Sequence, residues 1–198
     1  MLKMWVEITH RQAAKDDFFL SELEACLVPG TLLELGAGVG QLARKLQERG
    51  YDVVASDLEP FFVEHMKALG LKALVIDAID VAAGTDRTFD NIYTQGVSPI
   101  VQKNLSRTLK TYESASRALR VGGRFIVIHG GAYDRRYNRI RDHYPLFAQA
   151  GFRLIRHFRH QMLPSAWYRH LNTFVYTMIE GGLGRHMGLR NVLVLEKT

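Results

Sequence analysis

Three glycines alternate with small residues directly behind a short apolar run: Leu32-Leu33-Glu34-Leu35-Gly36-Ala37-Gly38-Val39-Gly40. The run predicts a buried strand. Gln41 to Arg49, with Leu42 and Leu46 one turn apart and Gly50 behind them, predicts a helix. Glycines at a strand-to-helix turn let the backbone bend sharply and let a ligand lie against it without meeting a Cβ. The helix start adds free N–H groups and a partial positive charge. Together these features predict a nucleotide-type site at the head of an α/β sheet.

The rest of the chain alternates around that stretch. Met1 to Glu24 reads as helical, ended by Pro29-Gly30, and would lie against the sheet or over a cofactor. Strands are predicted at Asp52–Ser56, Ala73–Ile76, Phe89–Tyr93 and Arg124–Ile128. Helices are predicted from Pro60 to Leu69 and from Leu105 to Arg120, the latter closed by Gly122-Gly123. Strand and helix alternating five times is the pattern of a parallel sheet covered on both faces. The last third departs from it. A short helix opened by Pro145 and closed by Gly151 precedes a sixth strand at Phe152–Phe158. Leu171, Phe174, Val175, Met178 and Ile179 fall on one face of a helix from about Ser165 to Glu180. A Gly-rich turn (Gly181 to Gly188) then leads to a seventh strand at Asn191–Glu196.

A length of 198 residues suits one domain, with 1–28 as an N-terminal helical segment and 30–198 as the Rossmann-like core. There is no apolar run of membrane-spanning length and no signal-peptide core, so the expected compartment is cytoplasmic. Cys26 is the only cysteine, which excludes an intramolecular disulfide and a cysteine metal cluster; its apolar neighbours predict a packing role. The net charge of +6 permits an anionic partner without naming one.

Glu34-Leu35-Gly36-Ala37-Gly38-Val39-Gly40 resembles the first motif, E/D-x-G-x-G-x-G, of the class I S-adenosylmethionine-dependent methyltransferases. The similarity runs on. Asp57 stands 17 residues past Gly40, where that family keeps an acid at the end of its second strand, and Asp77-Ala78 matches the acid and small residue after the third. Leu119-Arg120-Val121-Gly122-Gly123 is similar to the family's L-x-P-G-G turn, with Val121 in place of proline. The resemblance implies a seven-stranded, mostly parallel Rossmann-like sheet with helices on both faces and its last strand antiparallel. It also implies a site for S-adenosyl-L-methionine. In that site the loop of Gly36, Ala37, Gly38 and Gly40 would lie beside the methionine portion. Asp57, with Leu58 next to it, would take both ribose hydroxyls, and Asp77 and Ala78 would meet the adenine, with Asp80 as an alternative acid. Glu34 would support the loop or the cofactor's amino group, and Thr94 would join from the end of the fourth strand. The plain alternatives are a helix-capping role for Asp57 and a solvated carboxylate for Glu34.

Methyl transfer from a sulfonium requires chiefly that the acceptor be held near the methyl carbon and relieved of its proton. Thr94-Gln95-Gly96-Val97-Ser98-Pro99 lacks the Asn-Pro-Pro-Tyr-type motif of the family's amide-directed members. His129, at the end of the fifth strand ahead of Gly130-Gly131, is the candidate general base; the plain alternative is a histidine that only binds substrate or caps the strand. His129 is expected to titrate near the ordinary histidine value of about 6.5. Tyr133 and Arg136 are the candidate substrate contacts, within a basic stretch that includes Arg135, Arg139, Arg141 and His143; Arg153, Arg156, Arg159, Arg169, His157, His160 and His170 follow. For most of these a solvated face is the expected role. The resemblance and these residues thus predict O- or N-methylation of a small acceptor, with an anionic one suiting the arginines, by a monomer or homodimer, with no metal and no membrane and with nucleic acid disfavoured. The alternatives are an RNA or protein methyltransferase using the arginines, an NAD-dependent oxidoreductase, and a cofactor-binding protein without catalysis. The oxidoreductase is disfavoured by GxGxG spacing and the lack of a Tyr-x-x-x-Lys pair.

Overall fold

The computed structural model describes residues 13–129, 139–160 and 173–198. Seven strands form one sheet: β1 (Thr31–Leu35), β2 (Asp52–Asp57), β3 (Lys72–Val75), β4 (Phe89–Gln95), β5 (Leu119–His129), β6 (Phe152–His160) and β7 (Arg190–Lys197). Their spatial order is β3-β2-β1-β4-β5-β7-β6. The first five are parallel, and β7 runs antiparallel between β5 and β6. Among the described residues the helical segments are α1 (Ala13–Glu24), α2 (Gln41–Glu48), α3 (Pro60–Ala68), α4 (Val81–Gly84), α5 (Ser98–Val101), α6 (Leu105–Ala118), α7 (Ile140–Gln149), α8 (Thr173–Ile179) and α9 (Arg185–Met187). A π-helical turn, Glu180–Gly184, joins the last two.

Both faces of the sheet are covered, which is why its central strands read as unbroken apolar runs. On one face Leu33, Leu35, Phe125 and Val127 meet Tyr112 and Ala115 of α6 and Phe147 of α7. On the other, Leu32, Val53, Ile126 and Ile128 meet Leu20 and Leu23 of α1, Leu46 of α2 and Met66 of α3. Cys26 is buried in that second layer. The N-terminal edge is stapled by Asp90, which accepts hydrogen bonds from the Thr31 amide (2.8 Å) and hydroxyl (3.0 Å) and pairs with Arg120 at 3.0 Å.

Three sequence expectations are corrected by packing. Pro145 does not open its helix: α7 begins five residues earlier, at Ile140, with the proline inside it. Burial of His143, Leu146 and Phe147 on the sheet offsets the backbone hydrogen bond that proline cannot donate. The fifth strand starts at Leu119, which pairs with Phe89, whereas Arg124 pairs with Asn91. Arg120–Gly123 is therefore an irregularity within β5 rather than the end of α6. The third correction concerns α8. Phe174 and Met178, expected on its buried face, are 72% and 64% exposed, while Tyr176 is 2% exposed. The inward positions are Tyr176, Glu180, Gly184 and Gly188, and the predicted glycine turn is largely helical.

Candidate active site

Pairing register gathers the chemically active residues at one edge. Ser56, Leu35, Thr94, Val127 and Leu193 form one row across β2, β1, β4, β5 and β7. Asp57, the glycine loop, Gln95 and Ile128-His129 therefore leave the sheet together at its C-terminal edge, where ligands of open α/β sheets collect. Asp77 lies two residues past Val75, the partner of Asp57.

The loop between β1 and α2 is fixed by its own backbone. Gly36, Gly38 and Gly40 have φ of 73°, 56° and 73°, in the left-handed region. A Cβ on Gly40 would fall 2.7 Å from atoms of Met66 and Leu71, so close packing of α3 also demands glycine there. The Ala37 amide donates to the Ser56 carbonyl at 2.8 Å, and the Gly38 amide donates to Asp57 Oδ2 at 2.9 Å. Nothing lies within 4 Å of the position a Gly38 Cβ would take, so the loop is open on that side.

Asp57 is tied twice, because the Glu59 amide donates to its Oδ1 at 3.1 Å. The turn-capping role considered from sequence is therefore present. A carboxylate has roughly four lone-pair sites, and each oxygen of Asp57 retains one for the vicinal hydroxyls of a ribose. Asp77 closes its own turn through the Ile79 amide at 3.1 Å, with Ala78 half-buried beside it. Leu58 is exposed, an apolar surface next to Asp57. The Thr94 hydroxyl is fully buried and donates to the Leu35 carbonyl at 3.0 Å, which ties β4 to the strand that carries the glycines.

Glu34 is not a solvated carboxylate. It is 6% exposed and accepts from the Ala43 amide in the first turn of α2. Gly40, the residue at the N-cap, has no side chain for that task. Its Oε2 is buried without a hydrogen-bond partner among the described residues. Burial pushes its pKa up to about 8, opposed by the Ala43 N–H and reinforced by the Asp57 charge. An orphaned, buried acceptor beside an open glycine turn and a half-satisfied carboxylate fits a ligand with an ammonium at one end and a ribose at the other.

His129 sits 1% exposed on the α6–α7 face, and neither ring nitrogen has a hydrogen-bond partner among the described residues. Its ring meets the edge of His143 at 5.1 Å, and the His143 Nδ1 and Tyr112 hydroxyl are 2.7 Å apart. Desolvation lowers both histidine pKa values to about 4, contrary to the ordinary value expected from sequence. The imidazole is thus neutral throughout the physiological range. Next to it Asn191, paired with His129 across β5 and β7, holds His157 Nε2 at 2.9 Å, and Tyr144 holds its Nδ1 at 3.1 Å.

Residues 33–127 match the sequence model of the methyltransferase domain family. The chain thus carries a methyltransferase domain over the segment that holds the glycine loop and the strand-end acids. A protein of Schizosaccharomyces pombe named as an uncharacterized methyltransferase is 29% identical over 99 residues, 48% of this chain and 38% of that protein. The chain thus spans well under half the length of that relative. Among solved structures, a possible histamine N-methyltransferase from Thermotoga maritima superimposes with a TM-score of 0.70 at 14% identity, covering 100% of this chain and 97% of that one. A TehB-like S-adenosylmethionine-dependent methyltransferase from Corynebacterium glutamicum gives 0.69 at 17% identity, with the same coverage. The mostly parallel sheet with its antiparallel seventh strand is the one the resemblance implied.

Of the candidate residues, the structure brings the glycine loop, Glu34, Asp57, Leu58, Asp77, Ala78, Thr94 and His129 to one edge. Tyr133 and Arg136 lie outside the described residues, as do Arg135, Tyr137, Arg169 and His170. Sequence reading missed Tyr93, Tyr176, Glu180 and Arg190, which meet the same edge on the opposite face. The spacing of Tyr176, Glu180, Gly184 and Gly188 at i+4 intervals carried that signal, masked by the more apolar stripe beside it.

The buried titratable groups set a pH optimum for stability. His129 and His143 bind protons more weakly folded than unfolded, so stability is lost as pH falls from about 6.5 to about 4. Glu34, raised to about 8, acts oppositely: its contribution is complete below about 4.5 and declines as pH rises through 8. Thermal melts from pH 5 to 9 should therefore peak between pH 6 and 7, and Glu34→Gln should flatten the alkaline limb alone. A Glu34→Gln melting curve with the same alkaline decline would remove Glu34 as its source.

Proposed function

We propose that this methyltransferase transfers a methyl group from S-adenosylmethionine to oxygen or nitrogen of a small-molecule acceptor. The observation that supports this most directly is the Asp57 carboxylate bonded to the Gly38 amide, which joins the ribose-recognising acid to the glycine loop. Glu34, Asp57 and Asp77 would hold the amino group, ribose and adenine of the cofactor, with Leu58 and Ala78 as its apolar contacts and Thr94 anchoring the loop. The bound cofactor supplies an electrophilic methyl carbon. The chain's own work is to hold the acceptor, exclude water and accept its proton, and the buried, neutral His129 ring would serve the last task.

A small acceptor is favoured over RNA because many of the described arginines are already engaged. Arg153 pairs with Glu196 at 2.7 Å, Arg185 with Glu22 at 2.7 Å, Arg156 with Glu22 at 3.8 Å and Arg49 with Glu24 at 2.8 Å. Arginines bonded to the chain's own acids do not make a phosphate track. Among the described residues no helix is long and apolar enough to cross a membrane.

Calorimetry with S-adenosylhomocysteine and NAD tests the cofactor, with binding expected for the first alone. Filter binding to mixed RNA across a salt series tests the acceptor class. Weak RNA binding at physiological salt is expected; nanomolar affinity with a log–log salt slope of several, at about −0.9 per phosphate in a duplex, would favour RNA methylation instead.

A further inference from the structure

Beside His129, but on the other face of the sheet, lies a second polar group. Asn191 pairs with His129, so its neighbour Arg190, the first residue of β7, projects to the opposite face with Val192 and Ile128. On that face stand Tyr93 of β4, fully buried, whose hydroxyl donates to Gln95 Oε1 at 2.9 Å, and Tyr176 of α8, also buried. His160 pairs directly with Arg190 across β6 and β7, and Phe19 of α1 packs on the rings of both Tyr93 and His160, at 6.1 and 5.4 Å. The turn into β7 is fixed, because Gly188 lies so close to the His160 backbone that no side chain fits there.

We propose that Arg190 recognises an anionic group, a carboxylate or phosphate, on the small molecule that receives the methyl group. This rests on the methyltransferase reading above. The Arg190 side chain is half-buried at the C-terminal edge of the parallel strands, near the Tyr93 and Tyr176 phenols, whose rings suit an apolar or aromatic body. Burial weakens its hold on its proton, and the groups that counter this are the Tyr93 and Tyr176 phenols, not a carboxylate. The buried acid at this end, Glu180, is 3.4 Å from His160 Nδ1. Among the described residues Arg190 has no acidic partner; a desolvated guanidinium in that state gains most from an incoming anion, and its planar fork matches carboxylate and phosphate in bidentate fashion. Arg153, Arg156 and Arg185, by contrast, are spent on Glu196 and Glu22.

The test uses the full chain saturated with S-adenosylhomocysteine, arginine-labelled with nitrogen-15, and titrated with benzoate, phenyl phosphate and benzamide. The Arg190 Nε–H signal, assigned from Arg190→Lys, should shift saturably with at least one of the two anions, with a Kd at least about tenfold tighter than for benzamide. Arg190→Gln should abolish that preference and leave the S-adenosylhomocysteine Kd within about twofold. Arg190→Lys should weaken it partially, because the charge remains and the fork is lost. Equal binding of benzamide and both anions, no shift with either anion, or an anion preference that survives Arg190→Gln overturns the proposal. Failure to bind S-adenosylhomocysteine at all overturns the methyltransferase reading instead. Should Arg190→Gln not fold, as shown by its melting curve, the wild-type comparison and Arg190→Lys still decide the matter.

Discussion

Asp57→Ala is expected to weaken S-adenosylmethionine binding by roughly 30- to 150-fold, about 2–3 kcal/mol. The substitution removes the acceptor of two backbone amides, Gly38 and Glu59, and the carboxylate available to the ribose hydroxyls. Two losses are therefore combined: a charge-assisted contact to the ligand and the tie that holds the glycine loop in its bent shape. Asp57→Asn separates them. Its amide oxygen still accepts from one backbone N–H, so the loop keeps its shape while the paired acceptor for two hydroxyls is gone. Calorimetry should place the asparagine variant between wild type and alanine. An asparagine variant that binds like wild type would return Asp57 to a purely turn-forming role.

His129→Gln is expected to lower kcat by about 10²-fold while cofactor affinity stays nearly unchanged. A general base contributes roughly 10²- to 10⁴-fold, and the lower end applies because a base with a pKa far from the working pH transfers protons less effectively. The direction of the pH dependence also follows from burial. With its pKa lowered to about 4, the His129 ring is already neutral above pH 5.5, so kcat should show no rise through 6.5 that depends on this residue. Such a rise, present in wild type and absent from the glutamine variant, would mean that the ring is solvated during turnover. A KM increase with little change in kcat would assign His129 to substrate positioning.

The arginines of β6 show why charge in sequence misleads about binding. Arg153, Arg156 and Arg159 recur at every third residue along β6, and their partners lie on other strands and helices: Glu196, Glu22 and the His186 carbonyl. Those partners are 43, 134 and 27 residues away. Nothing local in the sequence reports whether an arginine's charge is satisfied from such distances.

The central strands and the glycine motif were legible for a local reason. A buried parallel strand must be apolar on both sides, and a left-handed turn against a helix must be glycine, so Leu32–Leu35 and Gly36, Gly38 and Gly40 carry their structure in their own side chains. The acids at the strand ends share that property, since position in the strand fixes which edge they reach. The tertiary structure alone decided the protonation of Glu34 and His129 and the placement of Arg190 opposite His160. The same holds for which face of α8 is buried, where Tyr176 replaced the more apolar Phe174 and Met178. Those outcomes depend on desolvation and on charges brought in by distant elements, quantities that belong to the packed chain and to no single stretch of it.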